Sequence, residues 1–188
     1  YSASKASADL FCRAYFETYG FPVVITRCSN NYGPFQFPEK LIPLMFLKAG
    51  ANEPLPVYGD GSNVRDWIYV EDHCRGVDLA LRKGKPGGIY NFGGQAEMSN
   101  LDVVSAILDI LGKDRSLISF VTDRPGHDQR YAMDFQKAAK ELDFAPSLDF
   151  HQGIRKTISW YQDNTPWLKA VQSGEYLRFM DTWYGERS

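Results

Sequence analysis

Cysteine is scarce in this chain: three in 188 residues, Cys12, Cys28 and Cys74, with no C-x-x-C pair. That spacing offers neither a disulfide framework nor a zinc cage. The odd count points to buried thiols in a reducing compartment, hence to the cytoplasm. Charge of either sign is not in excess. A net charge of −2 gives no broad electrostatic reason to expect nucleic acid or an acidic membrane as partner. Long apolar runs are missing as well, and segments such as "LIPLMFL" are far too short to span a bilayer. No internal repeat, low-complexity linker or signal peptide is visible, and there is no initiator Met, since the sequence opens on Tyr1.

What is present is the composition of a globular protein, 44% hydrophobic and 23% charged. The length suits one ordinary domain or one and a half small ones, enough for a sizeable core. Ser2 to Tyr19 lacks Pro and Gly and is rich in Ala, Leu and Phe, which predicts a helix ended by Gly20. "FPVVITR" (Phe21–Arg27) predicts a buried parallel strand. A loop, "CSNNYGPFQFP", leads to a helix over Glu39–Ala49 that Pro43 is expected to bend. "LPVYGDGSNVRDWIYV" predicts two short strands around an Asp60-Gly61 turn. Further helices are expected near 71–83, 100–111, 135–142 and 150–163, with Ser99 and Asp149 as N-caps. Strands are expected near 88–92 and 117–121. Helix and strand alternate, so the class is α/β. The C-terminal "YLRFMDTWYGERS" is aromatic without a period, and is expected to pack on its own domain or on a partner subunit.

Tyr1 and Lys5 carry the first chemical signal. Residues four apart share a helix face, and an ammonium beside a phenol favours the phenolate. Lowering a phenol pKa from ~10 to about 7 takes roughly 4 kcal/mol. A desolvated site with a second positive charge, such as an oxidised nicotinamide, could supply that and leave a general base poised at working pH. Y-x-x-x-K alone is also what an ordinary surface helix start looks like. Its context adds weight: the helix precedes a buried strand and a Gly-Pro loop full of amides, where an open parallel sheet places its ligand.

Several long motifs now occur in order: "YSASKASADLFCRAY", "SNNYGPFQFPEKLIP", "LPVYGDGSNVRDWIYVEDHCRG", "YNFGG" and "DRPGHDQRYAMD". Together they resemble the 4,6-dehydratase branch of the extended short-chain dehydrogenase/reductase family, which acts on nucleotide sugars. The resemblance runs from Tyr1 to about Phe150. It implies the C-terminal part of a Rossmann-like parallel sheet plus a smaller α/β substrate-binding domain. Residues 1–34 would end the NAD-binding domain, and 35–188 would be mainly the nucleotide-sugar domain, with excursions back to the sheet. The family's Gly-rich fingerprint, its Thr and its dehydrating Asp-Glu pair are not in this sequence. The expectation is therefore a C-terminal half that begins at the catalytic Tyr and is inactive by itself.

The resemblance also implies roles. Tyr1 and Lys5 would be catalytic and would touch NAD, with Lys5 on the nicotinamide ribose. Cys28 would pack beside the nicotinamide and Asn31 would face it, whereas Asn30 would face the sugar. Lys40 and Leu41 would lie near diphosphate and sugar, at a helix N-terminus suited to anions. Pro56, Val57 and Tyr58 would flank the base, Arg65 would fork onto the diphosphate, and Asn100 would reach the nucleotide. Asp123, Arg124, Pro125, Gly126 and His127 would form a lid over ribose and phosphate. Each has a plainer reading: turn-capping asparagines, a solvated Lys40, a core Tyr58, an Arg65–Asp66 ion pair, a capping Asn100 and a surface loop at 123–131. His127 has no second His or Cys at ligand spacing, so no metal is expected. The implied substrate is dTDP-glucose, converted to its 4-keto-6-deoxy form by an NAD-dependent lyase. The implied assembly is a homodimer through the Ser2–Tyr19 helix, whose Leu10, Phe11, Ala14 and Tyr15 form a wide apolar face. The alternatives are a sister nucleotide-sugar epimerase or decarboxylase, or a nucleotide-sugar-binding fragment without chemistry.

Overall fold

The computed structural model describes residues 1–123 and 125–174. Arg124 and the aromatic tail singled out in the sequence lie outside the described residues. In chain order the helices are α1 (Ser2–Tyr19), α2 (Leu41–Gly50), α3 (Val70–Lys83), α4 (Asn100–Leu111), α5 (Gln136–Leu142), α6 (Phe150–Asp163) and α7 (Thr165–Gln172). The strands are β1 (Ile25–Cys28), β2 (Asn30–Tyr32), β3 (Leu55–Tyr58), β4 (Val64–Tyr69), β5 (Ile89–Phe92), β6 (Glu97–Ser99), β7 (Ile118–Val121) and β8 (Arg130–Tyr131). The class is α/β with parallel strand pairs, as expected. Among the described residues no helix is long and apolar enough to cross a membrane.

The chain forms two compact units. The first holds Tyr1–Asn31, Val64–Met98 and Gln129–Phe150. The second holds Tyr32–Asn63, Ser99–Asp128 and residues 151–174.

In the first unit, α1 ends where Gly20 adopts a left-handed φ of 63° and returns its N–H to Phe16. Other residues pay a steric cost in that conformation, so glycine stops the helix cleanly. The predicted strand 21–27 is shorter and later than expected. Pro22 has no N–H to donate, Phe21 is exposed, and pairing starts only at Ile25, opposite Ile89 of parallel β5. Asp9 holds Arg27 in an ion pair, tying α1 to β1. Behind this pair lies a core of Ile68, Ala80, Tyr90, Phe92, Phe135, Ala138, Leu142 and Phe144. Rings of Phe92, Phe144 and Phe135 meet edge to face at 4.8 and 5.6 Å. The carboxylate of Asp72, in the first turn of α3, accepts from Arg75 at 2.5 Å and from the Ser147 amide at 2.9 Å. Burial opposes its charge, but these partners hold its pKa below the usual carboxylate value.

In the second unit, α2 packs on α4 and beside β3. Ile42, Met45 and Ala49 of α2, with Val103, Val104, Ile107 and Leu108 of α4, are fully or nearly fully buried. Pro43 falls in the first turn of α2, where a missing N–H is tolerated. Ser99 caps α4 as predicted, in a reciprocal box with Asp102.

The predicted hairpin over 55–69 is not formed. β3 pairs in parallel with β7, Leu55 opposite Ile118, whereas β4 belongs to another sheet with β2, β6 and β8. Gly61 has φ of 76° and its carbonyl accepts from the Leu101 amide, so the Asp60-Gly61 turn redirects the chain instead of folding it back. The thiols are not all buried: Cys12 and Cys28 are half-buried and Cys74 is exposed.

Candidate active site

The first unit carries Tyr1, Lys5, Cys28, Asn30, Asn31 and Arg65. Tyr1 is the N-cap of α1 and is 93% exposed. Its carbonyl accepts from the Lys5 amide at 3.1 Å and from the Ser4 hydroxyl at 2.7 Å, which closes the first helical turn. That turn carries Lys5 onto the same face. Its Nζ lies 5.7 Å from the centre of the Tyr1 ring, within reach of a cation–π interaction. Both side chains are open to solvent.

Cys28 ends β1. Burial pushes its thiol pKa up, only partly offset by a hydrogen bond from the Asn31 amide, whose Nδ2 is 3.1 Å from the sulfur. Little thiolate forms under these conditions, so Cys28 is a poor nucleophile. Asn31 also donates to the Ser29 carbonyl at 3.2 Å, which fixes its side chain beside Cys28. Asn30 is half-buried in β2.

Arg65 is buried in β4, and its Nη1 donates to the Val64 carbonyl at 2.7 Å. The neighbouring Asp66 spends its carboxylate on the amides of Gly94, at 3.0 Å, and Ala96, at 2.9 Å. Asp66 entered the sequence reading only as an ion-pair partner for Arg65, yet it fixes the 94–96 turn. At Gly94 a Cβ would collide with the Trp67 carbonyl, so only glycine lets that turn close.

The second unit carries the remaining candidates. Lys40 is the N-cap of α2, exposed and paired with Glu39 at 2.8 Å, and Leu41 is the first helical residue. Pro56 is half-buried and Val57 is buried, whereas Tyr58 is half-exposed at the end of β3. The Tyr58 ring meets the His127 ring edge to face at 6.4 Å. Nδ1 of His127 lies 2.7 Å from Oδ1 of Asp123, and the imidazole is only 5% exposed. Pro125 and Gly126 form the turn between them, with Gly126 at φ 69°. The parallel register sets Tyr58 opposite Val121, so Tyr58, Asp123 and His127 gather at the C-terminal ends of β3 and β7. This is the end of a parallel pair at which ligands bind in open α/β sheets. Asn100 opens α4 and its amide donates to the Asn63 carbonyl at 3.0 Å, while Ser99 does the capping. No cluster of three His, Cys, Asp or Glu able to hold a metal occurs among the described residues.

The chain is similar to known proteins over most of its length. A family model described as GDP-mannose 4,6 dehydratase matches residues 1–157. The dTDP-glucose 4,6-dehydratase of Xanthomonas campestris pv. campestris is 53% identical over 185 residues, covering 94% of this chain and 53% of that protein. The solved dTDP-glucose 4,6-dehydratase of Bacillus anthracis, in complex with NAD, superposes with a TM-score of 0.87 at 51% identity, covering 91% of this chain and 54% of that one. DesIV, a dTDP-glucose 4,6-dehydratase of Streptomyces venezuelae with NAD and TYD bound, gives 0.88 at 48% identity, covering 91% and 53%. The chain spans about half the length of the curated relatives it matches. With the family model matched from Tyr1 through most of α6, the chain belongs to the GDP-mannose 4,6 dehydratase family.

Proposed function

We propose that the protein carrying this chain is an NAD-dependent lyase that converts dTDP-glucose to its 4-keto-6-deoxy derivative. The observation that carries the reading is the Lys5 ammonium held over the Tyr1 ring at the first turn of α1. The named relatives and solved neighbours, all dTDP-glucose 4,6-dehydratases, support the choice of substrate.

The donor set fits a nicotinamide nucleoside: a phenol and an ammonium for ribose hydroxyls, a carboxamide at Asn31, and the uncharged thiol of Cys28 as a packing surface. NAD, when bound, would accept a hydride equivalent from C4 and return it to C6, so that the net change is loss of water. Tyr1 takes the proton from the sugar C4 hydroxyl as that carbon becomes a ketone. Lys5 presents its ammonium beside that phenol and orients the ribose. The ketone acidifies C5, which permits loss of water across C5 and C6. Asn30 orients the sugar. In the first unit Arg65 supplies a guanidinium suited to a phosphate, and in the second Lys40 and the N-terminus of α2 offer positive charge to an anion. Tyr58 faces the base, and His127, with its tautomer set by Asp123, caps the ribose side. The protein is a homodimer through α1, because Leu10, Phe11, Ala14 and Tyr15 all lie exposed on one face of that helix. This chain alone neither binds NAD tightly nor turns over.

The test uses the full-length protein with dTDP-glucose and NAD. A product that has lost water is expected, and a product of unchanged mass overturns the reading in favour of an epimerase. Tyr1→Phe should slow the single-turnover appearance of reduced nicotinamide by about 10²–10⁴-fold while sugar-nucleotide binding persists. Arg65→Ala should instead weaken binding by about 1.5–3 kcal/mol, seen mainly in KM.

A further inference from the structure

Phe35 is a residue the proposed chemistry does not use, and it sits in an unusual state. Its φ is 63°, in the left-handed region that a non-glycine residue seldom occupies. Although it is 67% exposed, its ring is not loose. It lies 4.5 Å from the Trp160 ring of α6 and 5.7 Å, perpendicular, from the Trp167 ring of α7. The two indoles meet each other at 5.2 Å. Such tilted and edge-to-face contacts are the favoured aromatic geometry, and they hold a backbone that would otherwise relax.

Helix α6 also grips the flanking residues. Tyr161, fully buried, donates its hydroxyl to the Gln36 carbonyl at 3.1 Å and lies 3.4 Å from the Gly33 carbonyl. Burial pushes its phenol pKa well up, so it stays a donor at any working pH. Its ring stacks on Phe46 of α2 at 5.4 Å. At Gly153 of α6 a Cβ would collide with the Tyr32 hydroxyl, so helix and loop approach as closely as glycine allows. From there two successive turns run without slack: Gln36 donates back to Gly33 at 3.4 Å, and Lys40 donates back to Phe37 at 3.1 Å. The second turn delivers Lys40 and Leu41 to the start of α2.

We infer that Phe35 is a positioning residue: packed against the Trp160–Trp167 pair, it fixes the 32–40 loop that presents Lys40 and the α2 N-terminus to the nucleotide diphosphate. The anion side of this inference rests on the proposed function. The packing itself does not.

Three variants of the full-length protein separate the ring from the backbone. Phe35→Gly relieves the left-handed conformation but removes the ring, Phe35→Ala removes the ring alone, and Phe35→Tyr keeps both. The Gly and Ala variants should each raise KM for dTDP-glucose about tenfold with kcat within about twofold, and Tyr should restore it. Hydrogen exchange of amides 33–41 should quicken by about tenfold in Gly and Ala while exchange in α3 and β5 stays unchanged. Trp167→Ala, which removes one of the two indoles Phe35 packs on, should reproduce the exchange result. A Gly variant with wild-type KM and exchange shows that only the backbone conformation matters and overturns the inference. So does unchanged exchange in Phe35→Ala, whatever the enzyme acts on. A wild-type protein that leaves dTDP-glucose unchanged defeats the proposed function instead, and the exchange result then decides the positioning role of Phe35 by itself.

Discussion

Helices α1 and α4 carry the same apolar spacing. Leu10, Phe11, Ala14 and Tyr15 in α1 match Val103, Val104, Ile107 and Leu108 in α4, position for position. The four residues of α4 are completely buried, whereas those of α1 are all exposed, and α1 has no buried residue along its length. Periodicity therefore says which face of a helix wants cover. It does not say whether this chain supplies it. The ends differ too: α4 begins at a reciprocal Ser99–Asp102 box, while α1 begins at Tyr1, whose side chain makes no capping bond. A start free of capping duties leaves the Tyr1 phenol and the Lys5 ammonium open to a ligand.

The contrast can be broken first at the covered face. Ile107→Ala opens a cavity between α4 and its neighbours and should cost about 2–5 kcal/mol, read as a shift of the urea midpoint. A loss under about 1 kcal/mol would mean that the face is less tightly packed than its burial indicates. Next comes the cap. Ser99→Ala should cost about 1 kcal/mol, because the Asp102 amide loses its acceptor and the Asp102 carboxylate loses the Ser99 hydroxyl. The smallest effect is expected at the open face. Leu10→Ala in this 188-residue chain should change stability by under about 0.5 kcal/mol, since it uncovers nothing. In the full-length protein the same change should weaken self-association, measured by sedimentation as a shift toward monomer at micromolar concentration. If the full-length protein is monomeric before any substitution, the proposed dimer through α1 is wrong.

Much of the framework was legible in the residues. Gly20 marks the end of α1 and Ser99 the start of α4, because both act through local backbone geometry. The apolar runs of α3, α4 and β5 fall where their patterns predict. The short strands β2, β6 and β8 were not legible. Asn30–Tyr32 and Arg130–Tyr131 have no strand-like alternation, and they are extended only because β4 offers them a partner. The α7 helix was missed although Asn164 and Pro166 spell a helix start. Among site residues, Tyr1 and Lys5 could be paired from spacing alone. Asp123 with His127 was read as a lid and not as a hydrogen-bonded pair, and Tyr58 beside them depends on a strand pairing sixty-odd residues apart. The Asp66 bonds to the 94–96 turn and the Phe35 contacts with Trp160 and Trp167 carried no local signal, because those partners are distant in sequence.

The sequence by itself determined the α/β class, the two helix stops and caps that rest on single residues, and the placement of Tyr1 and Lys5 on one face. Each follows from interactions within about four positions, which the local chain enforces. Only the tertiary structure decided that β3 and β4 part company after Gly61, that Asp66 closes the 94–96 turn, and that Trp160 and Trp167 hold Phe35 in a left-handed backbone. Those outcomes depend on which distant strand or ring arrives as neighbour, and burial and hydrogen bonding there override the local turn and strand preferences.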